Sequence, residues 1–164
     1  MPTAVQFRRG TTAQHSSFTG ALGEITVDTD KDVVVVHDGS TAGGFPGAST
    51  NMAQTFSKAQ RGAITALTDG ATITPDFSAA NNFSVTLGGN RTLANPTNLV
   101  AGQSGCIWIT QDATGSRTLA YGSSWDFTGG TAPTLTTTAS GRDCLVYAVQ
   151  SATQITATLI TNLS

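Results

Sequence analysis

His15 and His37 are the only imidazoles in this 164-residue chain, and Cys106 and Cys144 its only thiols. A hydrolytic site built on either histidine needs a nucleophile within hydrogen-bond reach and an acid to orient the ring. Gly102-Gln103-Ser104-Gly105 lacks the G-x-S-x-G spacing that holds a serine on a strained elbow. Two separated histidines and two cysteines do not give the close ligand spacing of a zinc site. Asp28-Thr29-Asp30-Lys31-Asp32 opens like a calcium loop, but Val33 and Gly39 stand where that loop needs Gly and Glu. A hairpin turn is the expected role of this segment. Asp112, Asp126 and Asp143 remain, by elimination, as carboxylates that could pair across a glycosidic bond. Turn and cap roles suit them better. No catalytic residue, metal or cofactor is expected, and the chain reads as non-enzymatic.

Binding chemistry has more material. Trp108, Tyr121, Trp125 and Phe127 could make an aromatic platform for sugar rings, so Trp108, Tyr121 and Trp125 are candidate glycan contacts. Packing in a core or between subunits is the competing role of the same residues. Cys106 and Cys144 have two readings as well: buried free thiols, or a disulfide within or between subunits.

Composition narrows the partners. Charged residues make up 11% of the chain, against roughly 25% in an average soluble domain. Thr, Gly, Ser and Ala fill the difference, which suits strands joined by tight turns. The net charge is −2 and lysine occurs only at Lys31 and Lys58, so no basic stripe is available to neutralise phosphates. Nucleic acid is therefore not an expected partner. No apolar run reaches the length of a membrane span, and no signal peptide is visible, so membrane insertion is not expected, and any exit from the cell is by another route, such as lysis.

Charge density falls after Ser49, which divides the chain into residues 1–49, a linker over 50–66, and residues 67–164. In the first part, Glu24–Asp28 and Val33–His37 flank a polar turn and predict a β-hairpin. Val33, Val34, Val35 and Val36 are apolar at every position, so both strand faces should be buried. So small a module can hardly cover both faces alone. Burial against other copies of the chain is the simplest solution, with Phe45 as a further anchor at that interface. In the linker, Met52, Phe56, Ala59, Ala63 and Leu67 recur at helical steps, weakened by Gly62. Beyond Leu67 the pattern is all-β. Strands are predicted over 71–74, 83–87, 91–93, 105–111, 117–121, 142–150 and 154–160. Regular punctuation between short strands points to a β-sandwich or jelly-roll-like module. One internal echo links Asn90-Arg91-Thr92-Leu93-Ala94 to Ser116-Arg117-Thr118-Leu119-Ala120. The fold class is thus mainly β: an N-terminal hairpin module, a short linker helix and a C-terminal sandwich.

The run from Ala4 to His15 (Ala-Val-Gln-Phe-Arg-Arg-Gly-Thr-Thr-Ala-Gln-His) is distinctive. So are Phe18-Thr19-Gly20, Gly23-Glu24-Ile25-Thr26-Val27-Asp28-Thr29-Asp30-Lys31 and Val35 through Pro46. Together they resemble the N-terminal domain of the phage major tropism determinants and related tail-fibre proteins. Ala66 to Ile73, Val85 to Pro96 and Gln111 to Leu119 are similar to C-terminal regions of phage fibre proteins. The resemblance implies an intertwined, β-prism-like homotrimer whose first module attaches to a virion. The partners it implies are sister chains and other virion proteins of capsid, collar or tail. Such a subunit is assembled in the host cytoplasm and displayed on the particle as a fibre, spike or decoration protein. The alternative it offers is a fibre tip that binds a host glycan or surface protein. The tropism determinants end in a lectin-like domain. The second module here is of another kind, so no receptor-contact residue carries over.

Overall fold

The computed structural model describes residues 6–48, 56 and 58–163. The chain divides into two compact units, 1–60 and 61–164.

The first unit is a four-stranded sheet in the order β1-β2-β3-β4, from β1 (Arg8–Gly10), β2 (Ile25–Asp28), β3 (Val33–Val36) and β4 (Phe45–Pro46). β1 runs parallel to β2, and the other pairs are antiparallel. The β2–β3 turn is organised by Asp28. Its carboxylate accepts the amides of Asp30 and Lys31 and the Thr12 hydroxyl. Burial raises the pKa of this carboxyl, but these hydrogen bonds and the Lys31 charge outweigh that and hold it below the usual carboxylate range. The turn geometry replaces any calcium-loop role.

The expectation for the valine strand is corrected on one face. Val33 and Val35 are buried by the chain itself, at 7% and 1% exposure. Strand alternation sends them inward, where the Gly44 loop crosses Val35. Val34 and Val36 point outward and are about half exposed, as is Phe45.

The linker-helix expectation lies partly outside the described residues. At its described end, Ile64–Ala66 is a strand, β5, paired in parallel with Asn82, Phe83 and Ser84. Tertiary ladder hydrogen bonds override the weak helical spacing there.

The second unit is mainly β as expected, but its strand order is not that of a jelly roll. Following β5 come β6 (Thr72–Ile73), β7 (Asn82–Leu87), β8 (Arg91–Leu93), β9 (Ser104–Gln111), β10 (Leu119–Tyr121), β11 (Trp125–Phe127), β12 (Arg142–Ser151) and β13 (Gln154–Leu163). The chain alternates between two sheets. β5, β7 and β9 stack in parallel in one, and β6, β8 and β10 stack in parallel in the other. The result is three stacked coils, a short solenoid. The β12–β13 hairpin then extends the first sheet antiparallel to β9, and β11 closes its far edge, giving the order β11-β13-β12-β9-β7-β5.

In-register apolar ladders explain the stacking. Phe83, Ile107 and Leu145 are direct neighbours across β7, β9 and β12. Ile73, Leu93 and Tyr121 form the matching row in the three-stranded sheet. Phe77 fills the space between, stacked on Phe83 and Tyr147 at 5.6 and 4.6 Å between ring centres. Each coil alone exposes this inner face, and stacking buries it as a continuous core.

Candidate functional site

In the first unit, the sequence places His15 through a one-turn helix, Thr12–His15. A capping box fixes its start, because the Thr11 hydroxyl accepts the Gln14 amide at 3.2 Å and the Gln14 side chain accepts the Thr11 amide at 2.8 Å. His15 then reaches Thr26 on β2, and so does His37 just past β3. The Thr26 hydroxyl lies 2.8 Å from His15 Nε2 and 2.9 Å from His37 Nε2, and all three residues are buried. The ring Nδ1 of His15 faces the Thr11 carbonyl at 3.0 Å, so that nitrogen carries the proton. The Nδ1 of His37 faces the Gly20 amide at 3.4 Å, so it accepts and the proton sits on Nε2. The hydroxyl therefore accepts from His37 and donates to His15. A Cβ at Gly20 would fall 2.5 Å from the His37 ring, which is why this position is glycine.

The hydroxyl that the two rings hold is itself buried, at 1% exposure, and the three residues brace the inner side of the sheet. Thr26→Val is expected to leave one ring donor and one ring acceptor unpaired and to destabilise the unit by about 1–3 kcal/mol. Histidine NMR under denaturant titration measures this, because both imidazoles lie in the first unit. An unchanged midpoint with the two opposite tautomers preserved would show the hydroxyl bridge to be dispensable.

The opposite side of the same sheet is apolar and open. Ile25 pairs with Val36, and Val36 with Phe45, so three side chains form one row across β2, β3 and β4. Their exposures are 41%, 46% and 56%, and Val34 beside them is at 50%. One face is closed by the unit's own histidines and loops, and the other is left without cover among the described residues.

The three carboxylates considered for sugar chemistry do not pair. Asp112 holds Arg117 at 2.7 Å and caps the amides of Thr114 and Gly115; the Arg117 hydrogen bond leads in keeping its pKa low. Asp143 is buried and accepts the amides of Thr136 and Asn162. Asp126 is exposed on edge strand β11. Among the described residues no group of three or more His, Cys, Asp or Glu is placed to hold a metal.

The aromatic platform is also corrected, because strand alternation separates its members. Trp125 points into the core at 5% exposure, donates Nε1–H to the Ala94 carbonyl, and meets Phe77 and Tyr147 edge-on. Tyr121 packs edge-to-face on Phe127, with its hydroxyl buried and without a partner among the described residues. Trp108 alone is on a surface, on the outer face of the six-stranded sheet at 39% exposure.

Cys106 and Cys144 are both free thiols. Cys144 sits opposite Trp108, and Cys106 opposite Val146, so the cysteines are diagonal neighbours on adjacent strands. The Cys106 side chain is a hydrogen-bond partner of the Cys144 thiol, so the two sulfurs lie close together without being joined. Burial, then the proximity of Cys106, pushes the Cys144 thiol up to about 11, which keeps it protonated and inert.

Comparison with known proteins gives matches to both units. Residues 5–41 match the family model of the major tropism determinant N-terminal domain. Residues 73–145 match that of a putative phage tail fibre C-terminal domain. A tail fiber receptor-binding protein of Bordetella phage BPP-1 is 66% identical over 65 residues, which is 39% of this chain and 17% of that protein. Among solved structures, the major tropism determinant I1 variant is 78% identical over 27% of this chain and 12% of that one, with a TM-score of 0.27. The M1 variant is 31% identical over 92% of this chain and 42% of that one, with a TM-score of 0.30. The chain spans about a sixth of the curated relative and less than half of these structures.

Proposed function

We propose that this chain is a non-enzymatic structural subunit of a tailed-phage fibre, self-associated as a homotrimer through the open face of its first unit. The observation that carries this reading is the Ile25–Val36–Phe45 row. A sheet that closes one face with its own residues and leaves an apolar row open on the other fits a surface buried on assembly. The matches of both units to phage fibre families support a place on the virion surface, reached by assembly in the host cytoplasm. The same unit would meet the neighbouring virion protein of capsid, collar or tail, and residues 67–164 would project. Closed cyclic association would also protect the sheet edges at β1 and β4.

A second reading is adsorption to a host glycan or surface protein. It is favoured by the receptor-binding name of the Bordetella phage relative and by the single exposed indole of Trp108.

Light scattering on the purified chain at micromolar concentration tests the first reading. The expected mass is three times the 16.7 kDa of one chain. A stable folded monomer would overturn it.

A further inference from the structure

The two outer surfaces of the second unit differ in kind. The three-stranded sheet presents Thr72, Thr92 and Ala120, small groups that water covers well. The six-stranded sheet presents Trp108, Val146 and Ile160, all partly exposed. They are neighbours. Trp108 pairs with Cys144, and Cys144 with Ile160, in one row across three strands, and Val146 lies in the next row against Cys106.

The charges around this face lie at its margins and have opposite signs. Arg142 begins β12, with its side chain on the same face as Cys144 and Val146. Asp126 shares the face from edge strand β11, beside Thr156. Both are exposed, and neither belongs to an ion pair found among the described residues. An apolar centre with a rim carrying both signs is the pattern of a contact surface that can meet its own copy.

We propose that this face packs against the same faces of the other copies around the axis of the assembly, with Arg142 of each copy opposite Asp126 of the next. This rests on the self-assembling subunit proposed above. Strands stand about 4.8 Å apart, so six of them are roughly 25 Å wide, and their length gives about 500 Å² of face. Stable interfaces bury about 800 Å² per partner. The contact is thus too small to hold free copies together. It closes when the first units already tether the copies, because tethering raises the effective concentration to the order of millimolar.

Acrylamide quenching of tryptophan fluorescence on the full chain, with light scattering on the same samples, tests the proposal. The chain has two tryptophans, and Trp125 is in the core, so the quenchable signal reports Trp108. In the wild-type oligomer, Trp108 is expected to be shielded. Arg142→Asp and Asp126→Arg should each expose it without changing the mass, and the double reversal should shield it again. A wild-type oligomer whose Trp108 is as quenchable as in the single reversals overturns this interface alone. A wild-type monomer overturns both this interface and the assembly it rests on. Shielding that appears only when a neutral host-envelope polysaccharide is added gives the face to a sugar and overturns the self-contact.

Discussion

Val35→Asp is expected to unfold the first unit, while Val36→Asp, one residue later, leaves it folded and removes its self-association. Val35 is 1% exposed beneath the Gly44 loop, against the side of the sheet braced by His15, Thr26 and His37. An unpaired carboxylate there costs several kcal/mol even after relaxation. A unit of about 60 residues is stable by only about 3–9 kcal/mol, so the substitution consumes most or all of that margin. Val36 is 46% exposed between Ile25 and Phe45. In the free chain Asp at this position stays solvated and costs about 1 kcal/mol of strand preference. In an assembly it puts one buried charge into every copy of the interface. The two histidine spectra report folding of the first unit, and light scattering reports the mass. The assignment of faces fails if Val36→Asp keeps the wild-type mass, or if Val35→Asp keeps both native imidazole signals.

The contrast shows how far the sequence was legible. Four consecutive valines identify a strand, but they do not say which pair the chain can shelter itself. That depends on Gly44, Gly20 and the two histidines, which are distant in sequence and carry no strand pattern. Strand positions in the second unit were readable because alternation survives in β7, β9, β12 and β13. Their connectivity was not, because Gly88-Gly89-Asn90 punctuates a coil corner as well as a hairpin. Here it carries the chain from β7 in one sheet to β8 in the other. A clue was present in Thr72-Ile73 and Thr92-Leu93, each followed closely by a proline, which stack in register. The more visible echo around Arg91 and Arg117 does lie on adjacent parallel strands, but with Leu119 opposite Arg91 it is shifted by one pleat. Repeats of unequal coil length hide such stacking from a search for a fixed period. The fate of Trp108 and Trp125 followed from the same gap, since which face of a strand is inside depends on the partner sheet.

Gly105→Ala is expected to be the most damaging single-methyl addition in the second unit. A Cβ there would lie 1.7 Å from the Asn81 carbonyl oxygen and 2.7 Å from its carbon, both backbone atoms of the neighbouring coil. That carbonyl cannot simply retreat, because it accepts the Tyr147 hydroxyl at 2.7 Å. Tyr147 is in turn Gly105's partner across β9 and β12 and is stacked on Phe77. Relieving the clash therefore separates two coils and breaks a buried hydrogen bond. Overpacking of about 1–3 kcal/mol and an unsatisfied buried group of about 1–3 kcal/mol give an expected loss of about 2–6 kcal/mol. Tyr147→Phe removes the hydroxyl without forcing the coils apart and should cost about 1 kcal/mol. Both tryptophans belong to the second unit, so the denaturant midpoint of their fluorescence isolates its stability. A Gly105→Ala midpoint no lower than that of Tyr147→Phe would mean that the coils can separate there without cost, and that the close approach at Asn81 does not fix the stacking of the solenoid.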